Sequence, residues 1–397
     1  MKPMPQPARL ALKACLALAC LASVVICSRS ALKDTGEFQY NSAVQGSMNF
    51  YENFQNAFYL RQGIDIYDPA VIQKYALQPN YLPNSFLMIM PFTYLPWPLA
   101  RGLWLALNLL FTVLLARQIS DLFLGGRQFP LLFALVACSA SWATLIHAGQ
   151  FTLWSFCFFL LAVKWEKEGC PVLSGLAIAL CLLKYVLTTP LMLYFLIYRR
   201  SWKNLAVAGL LHGAVFSLFC LWLKLSPVEL FMGPVRSAKA MGVQRRGYLD
   251  LLAFWDHLTG KATGIPYYLS VLLVLGVLAW TLLRLKGKDD LGALSLTVMA
   301  ALTVMFHNNY DYVGAVFPLA WCLQKPLLKD RAALAVLTVA VLVLYVTSHY
   351  LEFFRGMDAV MDFMKSGAYL GGLALLWYAA FGLLAWRLVH PPAAGGN

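Results

Sequence analysis

An all-α polytopic integral membrane protein, with about twelve membrane segments and extracytoplasmic loop helices, is predicted from three observations. Of the 397 residues, 60% are apolar and only 12% charged, a composition that starves a water-soluble fold of polar surface but suits lipid. Apolar runs recur from end to end of the chain, many of them near the roughly 20 residues needed to cross a bilayer. The few charges that interrupt them fall mainly where one run turns into the next.

The runs lie near 9–28, 98–117, 129–147, 150–164, 171–184, 186–198, 205–223, 266–284, 291–309, 312–324, 332–350 and 367–387. Several are short or partly re-entrant, and the chain 1–397 is read as one transmembrane domain. The first run has a basic start (Lys2, Arg9, Lys13) and the apolar stretch Ala14–Cys27. That pattern suits a signal peptide, but no small-residue cleavage site follows, so it is taken as an uncleaved first span. Two hydrophilic regions are long, 29–98 with its loop to about Leu82, and 225–265. A third, Leu351–Lys365, carries Glu352, Arg355, Asp358 and Asp362. Loops of such length between tight turns usually carry function.

Lys and Arg set the orientation. The groups Lys2/Arg9/Lys13, Arg117/Arg127, Lys164/Lys167, Arg199/Arg200/Lys203, Arg284/Lys286/Lys288, Lys325/Lys329/Arg331 and Arg387 stand in or beside short loops on one side. With both termini cytoplasmic, the positive-inside rule is obeyed and the long loops fall outside. The formal charge of +13 is therefore a topology signal, and nucleic acid is not an expected partner. The nine cysteines lie in or beside apolar runs without CxxC or zinc-type spacing, so they read as small core residues. No metal site is expected. Walker, GxGxxG, HExxH and GxSxG patterns are missing, which removes support for soluble-type nucleotide, zincin and serine-hydrolase chemistry.

Within the first loop, Phe50, Phe54, Ala57, Phe58 and Arg61 follow helical three- and four-residue steps, predicting an amphipathic helix along the membrane surface. A turn follows at Ile64–Pro69. Prolines 83, 91, 96 and 98 then break the apolar stretch Tyr81–Pro98, so it is expected to dip into the outer leaflet as a short helix.

The order of this helix, G-x-D-x-Y at Gly63–Tyr67, Y-x-P at Tyr81–Pro83, P-x-x-x-L-P at Pro91–Pro96 and A-R-x-L-W at Ala100–Trp104 resembles glycosyltransferase family 87. Ala148-Gly149-Gln150, Gly175 to Lys184 with Pro190 beyond, the Arg199–Trp202 turn, and His307–Asp311 running into Phe317-Pro318 extend the resemblance over about 35–325. It implies the GT-C fold and transfer of a sugar, mannose being the expected one, from a polyprenyl-phosphate donor to a lipid or glycan acceptor on the extracytoplasmic face. The partners are then the lipid-linked donor, the acceptor and membrane lipids. No cofactor is expected: phosphate leaves as a stable anion, so nucleotide binding is unnecessary and a divalent metal optional.

Such chemistry calls for a carboxylate to accept the acceptor's proton and cations to hold the departing phosphate. The acidic residue that the family carries at the start of the first-loop helix aligns here with Asn49, an amide that cannot act as base. Glu52, one turn on, takes that role, or Asp34 or Glu37 does, or this subfamily has moved or lost the activity. Asp311 is the second candidate base, since an ionisable residue near the end of a span is costly unless it finds a partner or a cavity. His307 precedes it by four residues. Lys184 either meets the donor phosphate or snorkels to headgroups. Gln150, with His147 nearby, is expected to line the same site, and Asn49 to contact substrate. In the second loop Arg245 and Arg246, with Arg236 and Lys239, either grip phosphate or bind anionic headgroups. A flippase for lipid-linked sugars and a non-catalytic scaffold remain the other readings.

Overall fold

The computed structural model describes residues 6–32, 48–241, 249–260, 263–305, 308–325, 330–346 and 366–391. Arg245, Arg246, His307, Asp34, Glu37 and the third hydrophilic segment lie outside these, as does the side chain of Lys239. The described residues are helical, with no strand among them. In chain order the helices are α1 (Gln6–Ala31), α2 (Met48–Arg61), α3 (Pro69–Tyr75), α4 (Pro83–Phe86), α5 (Trp97–Phe123), α6 (Phe129–Ala137), α7 (Ala140–Ala148), α8 (Thr152–Lys167), α9 (Pro171–Cys181) and α10 (Tyr185–Thr188). There follow α11 (Trp202–Leu223), α12 (Pro227–Phe231), α13 (Gly233–Met241), α14 (Leu251–Thr259), α15 (Ile265–Leu285), α16 (Asp290–Val304), α17 (Val316–Leu323), α18 (Arg331–Val346) and α19 (Gly367–Val389).

Prolines and small polar residues punctuate the chain. Pro69, Pro83, Pro171 and Pro227 each open a helix, where a missing N–H costs nothing. Asp68, Ser139, Asp250 and Asp289 cap the next helices by accepting backbone N–H bonds. Among the described residues six helical stretches are long and apolar enough to cross a membrane: Ala14–Ala31, Trp97–Phe123, Pro171–Thr188, Trp202–Leu223, Ile265–Leu285 and Tyr369–Val389. The expected span 129–147 is instead two helices bent by 65°. The bend sits at Ser139, which is extended and turns its hydroxyl to the Val136 carbonyl while capping Trp142.

The expected span 291–309 stops at Val304, and 186–198 resolves into a short helix and a π turn at Tyr194–Arg199. Among the described residues the remaining expected segments are shorter helical pieces, because polar residues and prolines break several apolar runs. Leu210, Leu218, Leu221, Leu272 and Leu273 stand exposed on α11 and α15, as lipid-facing side chains should.

Close approach builds the interior beneath the site. A Cβ added at Gly175 would lie 2.5 Å from that of Val207 and 2.8 Å from the Asn204 carbonyl, so α9 and α11 touch there as only glycine permits. The Ser174 hydroxyl donates to the Ala162 carbonyl of α8 and accepts from Asn204. Between α5, α7 and α8, the Trp154 indole donates to Asn108 and that of Trp142 to Thr112. These bonds satisfy indole N–H groups that would be costly to bury unpaired.

Candidate active site

The first-loop motifs lock onto one another. In α2 the rings of Phe50 and Phe54 are buried, and Phe50 stacks on Trp104 with centroids 4.4 Å apart. The Trp104 indole donates to the Gly149 carbonyl at 2.8 Å, while Arg101, fully buried, donates through Nε to the Ala31 carbonyl at the end of α1 at 2.8 Å. The A-R-x-L-W motif thus ties α1, α2 and the Gly149-Gln150 turn to α5. Asp65 accepts from the Tyr67 amide, and the Tyr67 hydroxyl donates to the Tyr81 carbonyl at 2.5 Å, which joins G-x-D-x-Y to Y-x-P. Gly233 leaves space for the Tyr67 ring, which an added Cβ would meet at 2.6 Å, and Arg236 lies 3.9 Å from Asp65. Burial raises the Asp65 carboxyl above its ordinary value, against the opposing Tyr67 amide and Arg236 charge.

The expected surface helix is corrected by this packing. Tyr51, Asn53, Gln55, Asn56 and Tyr59 are buried as well as Phe50, Phe54 and Ala57 of its apolar stripe, so α2 is sunk into the protein. Asn49 and Glu52 are half-buried on its first turn, with the Asn49 carbonyl accepting from Asn53. Phe50, between them, is anchored through Trp104 to the carbonyl that precedes Gln150.

Three interruptions of helical backbone converge beside that turn. Between α7 and α8, Gly149 adopts a left-handed conformation (φ 69°). Between α9 and α10, the chain tightens into a 3-10 turn at Leu182–Lys184, and Thr188 donates its hydroxyl to the freed carbonyls of Cys181 and Lys184. Before α17, residues Asn309–Ala315 form a 3-10 helix that carries Asp311. Such short 3-10 segments are common as connectors at helix ends, and here they bring polar side chains together.

Where they meet, Lys184 Nζ donates to Asp311 Oδ1 at 2.6 Å, to Thr152 Oγ1 at 2.6 Å and to Gln150 Oε1 at 3.4 Å. Thr152 in turn donates to Asp311 Oδ1 at 2.6 Å. The Tyr310 and Phe151 rings lie 5.0 and 5.6 Å from the ammonium, within cation–π range. Both charged side chains are at most 5% exposed. Lys184 therefore does not snorkel, because its ammonium turns inward to a carboxylate.

Lys184, Gln150 and Asp311 are brought together. Asn49 and Glu52 sit on the adjacent first-loop helix, and His147 is exposed, bonded to Ser30 of α1 at 2.8 Å. Arg236 donates through Nη2 to the Glu229 carbonyl and lies 3.9 Å from Asp65. Thr152 was missed by sequence reasoning. Its place, two residues beyond the Gly149-Gln150 turn and first in the next helix, was the available signal.

The profile of glycosyltransferase family 87 matches residues 80–307, which takes in Gln150, Thr152 and Lys184. The α-(1→3)-arabinofuranosyltransferases of Mycobacterium tuberculosis strains CDC 1551 / Oshkosh and ATCC 25618 / H37Rv are each 31% identical over 183 residues, 43% of this chain and 40% of theirs. The chain thus spans about two fifths of the length of these curated relatives. No solved structure matches it significantly. With its profile match covering more than half its length, this multi-pass membrane chain belongs to glycosyltransferase family 87.

Proposed function

We propose that the protein transfers a sugar from a polyprenyl-phosphate donor to a lipid or glycan acceptor on the extracytoplasmic face, with both termini cytoplasmic. The observation that carries this reading is the buried Lys184–Asp311 pair, with Thr152 and Gln150, where three backbone breaks meet. Regular helices need no such site, and a buried ion pair is an expensive way to hold helices together. A site for a phosphate and a carboxylate base accounts for it.

In the proposed step the acceptor hydroxyl attacks the anomeric carbon, a new C–O bond forms and the bond to phosphate breaks. The hydroxyl proton passes to a carboxylate, and polyprenyl phosphate leaves carrying the bond's electron pair. Asp311 is the base that the geometry favours and Glu52 the alternative. Asn49, Gln150 and Lys184 contact substrate, with His307, Arg245 and Arg246 proposed beside them. Mannose is the sugar suggested by the motifs, whereas the named activity of the mycobacterial relatives suggests arabinofuranose.

Purified protein supplied with polyprenyl-phosphate mannose or arabinose and cell-envelope lipid extract should release polyprenyl phosphate and yield a new glycoside with one donor. Lipid analysis of a deletion strain completes the test. A transferase loses its product, while donor stranded on the inner leaflet would mark a flippase and refute the reading. Orientation is checked with native cysteines replaced, where exposed Gln73→Cys should react with an impermeant thiol reagent from outside and Lys203→Cys only after the membrane is opened. Reaction of Lys203→Cys from outside would invert the topology.

A further inference from the structure

We propose that Asp311 occupies the place of the donor phosphate on Lys184, so that the pair is a latch which an incoming polyprenyl phosphate opens by exchange. The inference rests on the polyprenyl-phosphate reading above. An ammonium has three N–H donors, and here they are directed to Asp311, Thr152 and Gln150. Phe151 and Tyr310 flank the same group. A phosphate therefore gains Lys184 only by displacing a partner already present.

Asp311 is the partner a phosphate replaces in kind. Both are oxyanions, and a phosphate offers more charge and more acceptor oxygens for charge-assisted bonds. A carboxylate stripped of its cation in a dry site is costly, and Thr152 meets that difficulty. Its hydroxyl accepts from Lys184 and donates to Asp311 Oδ1, so Asp311 keeps a hydrogen bond when Lys184 turns away. The backbone suits the exchange as well. Lys184 ends one 3-10 turn and Asp311 stands in another, so neither side chain is fixed within the ladder of a long regular helix.

The latch has a measurable consequence, because a ligand that binds only the open form has its affinity reduced by the fraction open. If about 1–10% of molecules are open, binding is weakened roughly 10- to 100-fold. Abolishing the Asp311 charge while keeping Lys184 should return that factor.

The probe is farnesyl phosphate, titrated against the purified full-length protein in detergent with farnesol as the uncharged control. Asp311→Asn should bind farnesyl phosphate about 10- to 100-fold more tightly than wild type, with farnesol unchanged. Lys184→Met should bind it more weakly, and Lys184→Met/Asp311→Asn no more tightly than Lys184→Met, since the gain requires the ammonium. A merely structural pair predicts that Asp311→Asn binds no better or worse, and that result overturns the latch. Should Asp311→Asn not fold, Thr152→Val keeps both charges and removes two hydrogen bonds from the closed form but one from the open form. It should also tighten binding, and unchanged or weaker binding there is equally fatal. If neither wild type nor variants bind farnesyl phosphate in preference to farnesol, the polyprenyl-phosphate reading falls and takes the latch with it. Wild-type binding without the Asp311→Asn gain removes the latch alone.

Discussion

The two ends of α8 carry ion pairs of the same chemistry in opposite surroundings. At its C-terminal end Arg199 pairs with Glu166 at 2.7 Å and with Asp290 at 3.5 Å, and Lys167 pairs with Asp290, all with side chains 15–32% exposed. About 24 Å away along this 16-residue helix, Lys184 and Asp311 are 3% and 5% exposed. The first set joins positions where α8 ends and α16 begins, as solvated charges at helix ends commonly do. The second is withdrawn from water and sits where helices break. Partial exposure makes the first set cheap and explains it as the basic face of a membrane protein; the second carries a desolvation cost that packing alone does not require.

Turnover is where the two ends should differ most. If Asp311 is the base, Asp311→Asn should lower transfer by about 10²–10⁴-fold, whereas Arg199→Gln at the other end should leave the rate near that of wild type in protein that folds. Glu52→Gln, similar in size and helix propensity, belongs beside them. A large loss in Glu52→Gln with near-normal Asp311→Asn moves the base to the first loop, and the buried pair would then bind without accepting the proton.

Stability gives the next contrast. Lys184→Met leaves the Asp311 carboxylate buried without its cation, a loss expected at about 3–5 kcal/mol. Adding Asp311→Asn removes the orphaned charge, so the double variant should recover much of it. Arg199→Gln breaks partly solvated pairs and should cost roughly 1 kcal/mol or less. Denaturant unfolding in detergent separates these outcomes. Equal losses at the two ends would erase the distinction between them.

Much of the candidate site was legible as residue types before its geometry was known. Lys184, Gln150 and Asp311 announce themselves because a polar group amid an apolar run demands a partner, yet which partner it takes depends on contacts 34 and 127 residues apart in sequence. Thr152 carried no such demand, since threonine bonds easily to its own helix, and only the meeting of three breaks gives it a role. The buried state of α2 was hidden for a related reason. Its Phe50/Phe54 stripe has the helical period of a surface helix, but Asn53, Gln55 and Asn56, which lie off that stripe, are buried too, and Asn56 donates to the Gln78 carbonyl. Arg101 and Trp104 were visible as a motif, while their duties toward Ala31 and Gly149 required the fold.

The last contrast is in pH dependence, at Asp330, which lies outside the spans and pairs with Arg387 at the end of the last one. Arg387 donates to its Oδ2 through Nε at 2.9 Å and Nη2 at 2.7 Å, and its Oδ1 caps α18 at the Ala333 amide. The Arg387 hydrogen bonds hold the Asp330 carboxyl below its ordinary value. A carboxyl with a folded value lower than its unfolded one, about 3.9, lends stability that is fully present above that unfolded value and is lost as pH falls through the folded one. Asp330→Asn keeps a good helix cap while removing the charge. It should therefore lower stability at pH 6, and the gap from wild type should close as pH drops toward 3. A gap of the same size at both pH values would assign the loss to disturbed packing at the start of α18 and deny Asp330 its electrostatic role.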